Sequence, residues 1–522
     1  MSPKYYITTP IYYANGVPHI GHAYTSFIAD VLARTKRLLG YEVKFATGTD
    51  ENGQKMLQTA EKAGKELRAF LDEMAAAHQA TWDALSISYT DFIRTTELRH
   101  HTYVQEMLQR THDAGHIYQG TYEWLYCIGC EGYKKEADLI EREGKLVCPD
   151  HLTEPTHIHE KNWFFRLSSF QSALQELYTT RPERAIPLTR FNEIKSFVEQ
   201  GVEDFSISRE GSSVWIPLPF DPSSVTYIWF DALYNYLTVC QGGDESFWQD
   251  GEVVHVIGKD IGRFHAIYWP AMLMAVGHKL PDQLIINGHF TIDGQKISKS
   301  LGNVLVPEEL IEAHGRDALL YYLFSDIKIG NDGDFSQERF LSTKENLLKK
   351  GRGNLVSRVF NLATKFEVTQ FMYTDADQAL LDQALAELGL NDHVLLWACL
   401  HWEIPSMLNT WANNADLMHY TRQRFELVQL WNKLVDMTKP REMAKTDLPG
   451  AQHHIALILW LIKNAALLAF PFLLESTEKF KALFARSHPS WSTISSAQTS
   501  TDLSTLIAER QGSVVITAGH LY

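Results

Sequence analysis

The first fifty residues alternate between strand-like and helix-like hydrophobic patterns, and this alternation limits the chain to few folds. Residues 5–9 are β-branched and aromatic, as in a strand, and residues 15–18 have turn chemistry. The next stretch carries apolar side chains at helical spacing: Tyr24, Phe27, Ile28, Val31 and Leu32. This helix should end near Gly40, and residues 42–47 read as a second strand. A strand, a helix and a strand in this order predict a βαβ unit in a parallel sheet, with ligands at the carboxyl ends of its strands.

The length predicts several domains, because at ~150 residues per domain 522 residues correspond to about three. Hydrophobic residues make up 45% and charged residues 21%, which is typical of globular proteins that bury a core. Strand-like apolar runs return at 253–257 and 284–286, so we expect the sheet to resume after an insertion. Beyond residue 340 the pattern becomes helical and predicts a separate bundle. The Ser- and Thr-rich residues 487–504 predict no particular structure.

The net charge of −15, from 48 basic and 63 acidic residues, means that a nucleic-acid partner would have to be met by a local basic patch. The sequence starts without an apolar leader segment, so we expect a cytoplasmic protein. Residues 455–474 are apolar over a length that could span a bilayer. Lys463 and Asn464 interrupt the middle, however, and Pro471 would break the helix. A buried bundle helix is therefore favoured, and no membrane partner is expected.

Two histidines separated by two residues lie at the predicted start of the first helix. Backbone N–H groups and the helix dipole favour anions at this position. His19 and His22 could both donate hydrogen bonds to a phosphoryl group, and Gly21 leaves room for a nucleotide to approach. Taken alone, this short pattern also fits a loop or a helix start with no catalytic role.

A cationic segment follows at residues 296–300. Lys296 and Lys299, flanked by Ser298 and Ser300, suit a polyphosphate leaving group, because lysines on a mobile loop can close over its charge. By itself this segment also fits a solvated surface loop. In combination with the histidine pair on one nucleotide-binding architecture, it is far more specific than either motif alone.

These motifs resemble the signatures of class I aminoacyl-tRNA synthetases. Residues 19–22 match the family's HIGH motif, and residues 296–300 match KMSKS with isoleucine in place of methionine. Within this class, the chain is most similar to the methionyl-tRNA synthetase family over about residues 4–360. Further stretches that resemble this family follow in the same order at residues 8–16, 48–53, 227–233 and 257–260.

The fold class predicted from the pattern and this resemblance together is α/β. We expect a Rossmann-like parallel-sheet catalytic domain with a zinc-knuckle insertion, followed by an all-α anticodon-binding helical bundle. The predicted domains are the first catalytic half at 1–115, the connective insertion with its zinc knuckle at 116–225, the second catalytic half with the KISKS loop at 226–340, the bundle at 341–485, and a tail of unassigned structure at 486–522.

The resemblance implies the activity of a methionine–tRNA ligase. ATP would activate L-methionine to an enzyme-bound adenylate, and the methionyl group would pass to the terminal ribose of tRNA(Met), with release of pyrophosphate and AMP. Because the substrate carboxylate itself attacks the α-phosphorus, no protein nucleophile is needed. Mg²⁺ would accompany the ATP phosphates. The catalytic residues would be His19, His22, Lys296 and Lys299.

The resemblance also implies how the two small substrates are held. The residues expected to bind ATP are Gly21, Gly258, Asp260, Gly288, His289, Ser298 and Ser300. The residues expected to bind methionine are Ile11, Tyr13, Asp50, Trp229, Leu233, Tyr236 and His265. Asp50 would hold the ammonium group, and the others would form a cup for the thioether. Without the resemblance, the spacing of Trp229, Leu233 and Tyr236 more often indicates plain helix core.

Four potential metal ligands occur as two close pairs. Cys127 and Cys130 are followed, after seventeen residues, by Cys148 and His151. Three thiolates and an imidazole at this spacing can close a tetrahedral shell, so they predict a structural zinc site. The alternative is a pair of thiol motifs that hold no metal. The resembled family carries such a knuckle in its connective insertion, which it would stiffen.

The predicted bundle contains candidate anticodon contacts that the resemblance supplies. Asn354 and Arg358 lie one helical turn apart in a stretch similar to the family's anticodon-side helix. Arg441 stands where the family usually has a tryptophan that stacks on an anticodon base. A guanidinium can also stack on a base, and such stacking is worth ~1–3 kcal/mol, so the exchange could weaken or redirect anticodon reading. The cations at 349–352 fit either phosphate binding or a solvated face.

Two other functions stay open on the sequence alone. A related class I enzyme could have changed specificity, either for another amino acid or, as a paralogue that forms methionyl-adenylate, for an unusual acceptor. Arg441 and Lys350 are the indications. A non-catalytic, zinc-stabilised RNA-binding protein is disfavoured, because binding alone would not require the two histidines and two lysines together. No recognisable dimerisation domain follows the bundle, so we expect a monomer that acts on ATP, L-methionine and tRNA(Met).

Overall fold

The computed structural model describes residues 2–127, 132–134, 136–142, 144–149, 152–210, 215–297, 304–368, 370–371, 374–390, 404–469, 471–476 and 514–515. The chain forms two compact units, each assembled from separate stretches of sequence. The sheet unit comprises Lys4–Pro18 and Lys44–Asn287. The bundle unit comprises Met1–Pro3, His19–Val43 and Gly288–Tyr522.

The strands, in chain order, are β1 (Lys4–Tyr13), β2 (Glu42–Asp50), β3 (Asp91–Arg94), β4 (Ile117–Cys127), β5 (Gly132–Lys134), β6 (Ile140–Arg142), β7 (Lys145–Val147), β8 (Thr156–Phe165), β9 (Ala185–Ile186), β10 (Phe205–Ser206), β11 (Ser208–Glu210), β12 (Pro217–Leu218), β13 (Asp221–Thr226), β14 (Glu252–Gly258), β15 (Gln283–Asn287), β16 (Phe290–Ile292), β17 (Gln295–Lys296), β18 (Gly333–Phe335), β19 (Gln370–Phe371) and β20 (Val514–Val515).

The helices are α1 (Ile20–Leu38), α2 (Gln54–Lys62), α3 (Leu67–Ala84), α4 (Leu98–Asp113), α5 (Gln171–Thr180), α6 (Leu188–Glu199), α7 (Ile228–Leu233), α8 (Asn235–Thr238), α9 (Glu245–Gln249), α10 (Trp269–Ala275), α11 (Pro307–His314), α12 (Arg316–Asp326), α13 (Gln337–Thr343), α14 (Asn354–Lys365), α15 (Asp375–Leu388), α16 (Ile404–Asn414), α17 (Leu417–Thr438), α18 (Pro440–Met443) and α19 (Leu448–Ala469). Two π-helical segments lie at Phe264–Tyr268 and Lys344–Gly353.

A six-stranded sheet in the order β3-β2-β1-β14-β15-β9 organises the sheet unit. The pairings of β1 with β14, β14 with β15, β15 with β9 and β2 with β3 are parallel. The central strands are apolar and buried on both faces, as expected where helices cover a parallel sheet. The predicted α/β class and the predicted strands at 253–257 and 284–286 are therefore confirmed. The carboxyl ends of β1, β14 and β15 meet at one edge, which the sequence indicated as the ligand-binding edge.

Smaller antiparallel sheets occupy the predicted insertion. One has the order β10-β8-β4-β5, and a second has the order β11-β13-β12. The long β4–β8 ladder runs from the pair Ile117 and Phe165 to the pair Tyr126 and Thr156. The hairpin β6–β7 pairs Ile140 with Val147. These pairings give the insertion a hydrogen-bonded framework of its own.

The bundle unit begins with α1 and continues through a small sheet into helices. The sheet has the order β17-β16-β18. Helix α19 is apolar around most of its circumference and packs against α14 and α17. Its residues Ile455 and Ile462 are each 1% exposed, so the predicted burial of the apolar run is confirmed for residues 455–462. Within the residues that the structure describes, no helix is long and apolar enough to cross a membrane.

Buried polar contacts fasten α1 to the later helices of its unit. Arg316 donates from Nη2 to Asp30 Oδ2 at 2.7 Å, and both side chains are nearly inaccessible to solvent. The ammonium group of Lys36 donates to Asn413 Oδ1 at 2.9 Å, on α16. Because a buried charge without its partner is strongly destabilising, these contacts define how α1 sits among the helices.

Candidate active site

The two histidines of the first motif close the amino end of α1. His19 is the N-cap residue, and its Nδ1 accepts from the backbone N–H of Gly21 at 3.1 Å. The backbone N–H of His19 donates to Nδ1 of His22 at 3.2 Å. The two rings stack with centroids 3.8 Å apart and an interplanar angle of 23°. The motif therefore forms a reciprocal cap of the helix.

This cap determines which ring nitrogens carry hydrogen. Since Nδ1 of each ring accepts a backbone N–H, the neutral form of each ring has its hydrogen on Nε2. His19 and His22 thus present two N–H donors beside the positive end of the helix dipole, which suits an anionic group. A Cβ atom at Gly21 would lie only 3.0 Å from Cε1 of His19, so glycine is needed for this ring position.

A tight hairpin carries the start of the second motif. Thr291 pairs with Lys296 across β16 and β17, and the turn residues Asp293 and Gly294 have φ of 47° and 75°. Oδ1 of Asp334 accepts from the backbone N–H of Gly294 at 2.7 Å and from the Thr291 hydroxyl at 2.7 Å. The backbone at Lys296 is therefore well anchored.

The backbone beyond the second motif is also anchored within the bundle unit. The N–H of Ile20, the first residue of α1, donates to the carbonyl of Leu305 at 3.3 Å. The predicted residues Ser298, Lys299 and Ser300 lie outside the described residues, as does the side chain of Lys296.

The predicted nucleotide residues Gly288 and His289 lie where β15 gives way to β16. A Cβ at Gly288 would lie 2.1 Å from the carbonyl oxygen of Asn331, so only glycine fits this backbone. The side chain of His289 is exposed, and the backbone N–H of His289 donates to Asp332 Oδ1 at 3.0 Å. The imidazole of His289 is thus held on a fixed backbone at the surface.

The other two predicted nucleotide residues end β14 in the sheet unit. Gly258 is paired with Asn287 of β15, at the carboxyl edge. A Cβ at Gly258 would lie 2.5 Å from Oδ1 of Asp260, whose side chain is exposed. The Asp260 carboxylate thus lies over Gly258, at the sheet edge where a parallel α/β sheet binds ligands.

Asp50 ends β2 at the same edge of the sheet unit. Its carbonyl accepts from the N–H of Ala14 at 3.0 Å, which joins the ends of β1 and β2. The Asp50 side chain is 6% exposed. Two residues later, Nδ2 of Asn52 donates to Oδ2 of Asp231 at 3.1 Å and ties this loop to α7. A nearly buried carboxylate on a strand end is well placed to bind a cationic group.

Aromatic side chains of α7, α8 and the following π-helical turn gather in the same unit. The Trp229 ring stacks on Phe264 with centroids 3.7 Å apart and an angle of 4°. It meets His265 edge-on at 6.5 Å. Leu233 and Tyr236 belong to the same buried apolar cluster, and Ile11 packs against it. Trp229 and Tyr236 therefore both contact His265, within the apolar cluster that also includes Leu233 and Ile11.

Tyr13, the last residue of β1, is half-buried with Lys55 Nζ 4.8 Å from its ring centroid. It precedes Ala14, whose backbone holds Asp50. Tyr13 thus lies beside the Asp50 strand end.

The sequence spacing alone favours a plain helix core for Trp229, Leu233 and Tyr236, and Leu233 and Tyr236 are indeed buried core residues of α7 and α8.

Burial sets the protonation state of His265. Desolvation lowers its pKa to about 4, so the ring is neutral near pH 7. Its Nδ1 lies 3.1 Å from the carbonyl of Ile261, and its Nε2 lies 2.6 Å from the Tyr236 hydroxyl. Burial also raises the pKa of Tyr236 well above its usual range. Both groups are therefore uncharged in the cluster.

The predicted metal ligands are only partly described. Cys127 ends β4 and Cys148 follows β7, and their side chains are 1% and 0% exposed. The backbone N–H of Cys148 donates to the carbonyl of Thr153 at 2.9 Å, and the carbonyl of Cys148 accepts from the N–H of Leu152 at 2.7 Å. Cys130 and His151 lie outside the described residues. Among the part of the chain that is described, no group of three or more His, Cys, Asp or Glu side chains could hold a metal ion.

The candidate anticodon residues are exposed on the bundle unit. Asn354 begins α14, and Arg358 one turn later donates to Oδ1 of Asn432 at 3.2 Å. Asn432 lies on α17, and sequence reasoning did not select it. Arg441 is exposed on the short helix α18, directly beyond α17. Glu345 pairs with Lys349 at 3.2 Å, which lowers the positive charge of the 349–352 segment.

Several polar residues of the sheet unit were also not selected from the sequence, namely Thr8, Asn52, Asp231 and His255. Each hydrogen-bonds to a residue far away in the chain. Polar residues inside otherwise apolar strand and helix patterns are the signal that could have drawn attention to them, because buried polar groups need partners.

Three comparisons agree on the family. The profile of class I tRNA synthetases (M) matches residues 5–360. The chain is 46% identical to the methionine–tRNA ligase of Thermosynechococcus vestitus over 376 residues, which is 70% of each protein. It is 37% identical to the Nostoc sp. enzyme of the same name, over 89% of this chain and 86% of that one.

A solved structure is similar over nearly the whole chain. Mycobacterium tuberculosis methionyl-tRNA synthetase in complex with methionyl-adenylate aligns with a TM-score of 0.85 and 33% identity, covering 95% of this chain and 96% of that one. Its likeness extends beyond the region matched by the family profile. The chain therefore belongs to the methionyl-tRNA synthetase family of class I aminoacyl-tRNA synthetases.

Proposed function

We propose that the chain is a methionine–tRNA ligase. It activates L-methionine with ATP to methionyl-adenylate and transfers the methionyl group to the terminal ribose of tRNA(Met). The observation that carries this proposal is the Asp50 carboxylate in the same unit as an apolar cluster of Trp229, Leu233, Tyr236 and neutral His265. The activity named for the relatives, and the methionyl-adenylate bound to the similar synthetase, support it.

In the activation step a carboxylate oxygen of methionine attacks the α-phosphorus of ATP, and the bond to pyrophosphate breaks. The nucleophile belongs to the substrate, so the protein contributes position and charge stabilisation. His19 and His22 donate from Nε2 to phosphate oxygens, where negative charge grows in the transition state. Their fixed rings cost little reorganisation, because the helix cap already orients them.

Lys296 and Lys299 bind the pyrophosphate as it leaves. The backbone on both sides of this segment is hydrogen-bonded, at the β16–β17 pair and at Leu305, which supports the assignment because both positions belong to the unit that contains His19 and His22. Mg²⁺ bound to ATP would offset charge on the phosphates. Gly258, Asp260, Gly288 and His289, together with Gly21, Ser298 and Ser300, are the proposed contacts to the rest of ATP.

Methionine binding divides into a charged part and an apolar part. Asp50 pairs with the substrate ammonium group. Trp229, Leu233, Tyr236, His265, Ile11 and Tyr13 form the cup for the side chain. A long unbranched thioether gains from dispersion and from sulfur–ring contacts in such a cup.

A structural zinc ion is proposed for Cys127, Cys130, Cys148 and His151. Cys127 and Cys148 fit such a site, because both buried thiols lie at strand ends. Such an ion would cross-link the insertion and take no part in the reaction. The predicted domain boundaries, with the insertion at 116–225 and the bundle at 341–485, are likewise a proposal.

Recognition of tRNA is proposed for the exposed face of Asn354, Arg358 and Arg441. The bond from Arg358 to Asn432 supports a preformed polar surface there. Arg441 in place of the family's usual tryptophan favours a second candidate, a paralogue that makes methionyl-adenylate but charges an unusual acceptor. Stacking by the Arg441 guanidinium can replace stacking by an indole only in part, since its planar surface is smaller.

Methionine-dependent exchange of pyrophosphate into ATP tests the activation step without tRNA. We expect exchange with methionine and far slower exchange with leucine or glutamate at equal concentration. Exchange that is equally fast without added amino acid, or faster with leucine, would refute methionine activation.

A further inference from the structure

A buried carboxylate directly follows the strand end that carries Asp50. The side chain of Glu51 is 0% exposed. Its Oε1 accepts from the Thr49 hydroxyl at 2.8 Å and from Nε of Arg94 at 2.6 Å. Its Oε2 accepts from the hydroxyl of Thr96. Both oxygens of Glu51 are thus held by donors of the protein itself, so this carboxylate is a fixed point in the structure.

Arg94 balances the charge of Glu51 and is itself held in place. It lies on β3, where it pairs with Thr49 in the parallel ladder of β2 and β3. Its Nη1 lies 2.7 Å from Asp72 Oδ1, and its backbone N–H donates to Oε1 of Glu97 at 2.9 Å. The Arg94 side chain is only 19% exposed. Such a pair keeps its geometry, because separation would leave a buried charge without compensation.

The peptide bond between Asp50 and Glu51 is hydrogen-bonded at both of its polar atoms. Its carbonyl accepts from the N–H of Ala14 at 3.0 Å, and its N–H donates to the hydroxyl oxygen of Thr95 at 2.9 Å. Ala14 follows β1, and Thr95 follows β3. Rotation of this planar peptide would break a hydrogen bond on one side or the other. The direction in which the Asp50 side chain leaves the backbone is therefore fixed.

The residues on either side of Asp50 are also held by their side chains. Thr49 and Glu51 bond directly to each other, so their side chains share one face of the strand end. Successive side chains of an extended chain alternate between faces, and that of Asp50 thus points to the opposite face. Nδ2 of Asn52 donates to Asp231 of α7, the helix that also carries two of the predicted methionine-binding residues. The position of Asp50 therefore follows from the bonds of its neighbours.

We propose that Glu51 is a positioning residue for methionine binding, which holds the Asp50 carboxylate in place for the substrate ammonium group. This inference rests on the proposed function, because it takes Asp50 as the ammonium ligand. A carboxylate that is already in place loses little conformational freedom when the ligand binds. Loss of the bonds to Glu51 should therefore weaken ligands that carry the ammonium group and spare ligands that lack it.

Two methionine analogues separate this role from a purely structural one. Methioninol keeps the ammonium group and lacks the carboxylate. Desaminomethionine, which has hydrogen in place of the amino group, keeps the carboxylate and lacks the ammonium group. The inhibition constant Ki of each analogue would be measured in methionine-dependent pyrophosphate exchange.

Matched substitutions at Glu51 test the side-chain bonds. Glu51→Leu has no acceptor and should raise Ki for methioninol about fivefold, which is less than the ~10-fold effect of losing the Asp50 charge itself. Ki for desaminomethionine and KM for ATP should not rise. Glu51→Gln keeps an acceptor oxygen for Thr49 and Arg94, and its amide can donate to the Thr96 hydroxyl, so Ki for methioninol should stay within about twofold of the wild-type value.

A control variant removes only contacts on the solvent side of this network. Arg68 donates from Nη1 to the Thr96 hydroxyl at 3.2 Å, and its Nε lies 3.2 Å from Asp72 Oδ1. Arg68→Ala eliminates both contacts and leaves every bond to Glu51 in place. Because exposed contacts of this kind contribute little, the variant should change neither Ki.

Substitutions at Thr95 cover the case in which Glu51→Leu does not fold. Thr95→Val keeps the shape but offers no acceptor to the backbone N–H of Glu51, and it should raise Ki for methioninol about threefold. Thr95→Ser keeps the hydroxyl and should restore the wild-type value. In an Asp50→Asn background, Thr95→Val should add nothing, because its effect passes through the Asp50 carboxylate.

Several results would overturn the proposal. One is an unchanged Ki for methioninol in Glu51→Leu, or in Thr95→Val relative to Thr95→Ser. Another is an equal loss for both analogues, which would indicate a general structural effect. Fully additive effects of Thr95→Val and Asp50→Asn would also contradict it. Absence of methionine-dependent exchange in the wild-type protein would instead refute the proposed function.

Discussion

Replacement of Gly21 by alanine should separate catalysis from folding. Gly21 is the second residue of α1 and has no left-handed backbone, so alanine suits its conformation and stabilises a helix by ~0.5–1 kcal/mol relative to glycine. The new Cβ would lie 3.0 Å from Cε1 and 3.2 Å from Nδ1 of His19, so the ring must shift by a few tenths of an ångström. The rings of His19 and His22 are stacked, so this shift disturbs both proposed phosphate donors.

The expected size follows from the sensitivity of catalysis to geometry. A misplacement of ~1 Å can lower a rate by about 10²-fold, so a shift of a few tenths should lower kcat for pyrophosphate exchange by roughly tenfold. The free energy of unfolding should stay within about 1 kcal/mol of the wild-type value. The two quantities can be measured on one preparation, by exchange kinetics at saturating methionine and by urea unfolding.

A matched glycine provides the control. A Cβ at Gly262 would meet only Cδ1 of Ile286, at an ordinary contact distance of 3.8 Å, so Gly262→Ala should leave kcat unchanged. If Gly21→Ala retains full kcat, the ring positions of His19 and His22 do not matter for the reaction. That result would refute the catalytic role assigned to the cap of α1.

Three further predictions follow from the site and the bundle. Asp50→Asn should raise KM for methionine by about 10-fold or more in pyrophosphate exchange, since the ammonium loses a charged partner; an unchanged KM would exclude this pairing. Arg441→Ala should lower kcat/KM for tRNA by about fivefold or more without altering pyrophosphate exchange, because stacking on a base is worth ~1–3 kcal/mol. An unchanged kcat/KM for tRNA would show that Arg441 does not contact the anticodon. Burial lowers the pKa of His78 and of His265 to about 4, so the unfolded chain binds more protons than the folded chain between pH 6.5 and 4. The free energy of unfolding in urea should therefore fall as the pH drops through that range. A free energy that does not change with pH would contradict the neutral burial of these two rings.

Local patterns were sufficient to predict the strands and helices that contain several consecutive or regularly spaced apolar residues. The β1–α1–β2 succession and strands β14 and β15 were identified because each buries several consecutive or regularly spaced apolar residues. Strand β3 was missed because only Ile93 of its four residues is buried. Strand β9 has two residues and cannot display a period.

The site was predictable to the extent that its residues form contiguous motifs. The His19–His22 motif combines a helix cap and a phosphate site within four residues, so it can be read from the sequence. The bond between Thr8 and His255 joins residues 247 positions apart, and it depends on strand register that no local pattern specifies. The Asn52–Asp231 bond is similarly non-local. Such supporting contacts become visible only once the strands are aligned.

Charging of tRNA by the purified chain tests the central claim most directly. Labelled methionine, ATP and total tRNA would be incubated with the protein, and acid-precipitable label would be compared with that from a reaction containing labelled leucine. The account predicts methionine-specific charging that rises when purified initiator or elongator methionine tRNA is added. Failure to charge any tRNA, in a preparation that performs methionine-dependent pyrophosphate exchange, would contradict the ligase assignment and favour a paralogue with another acceptor.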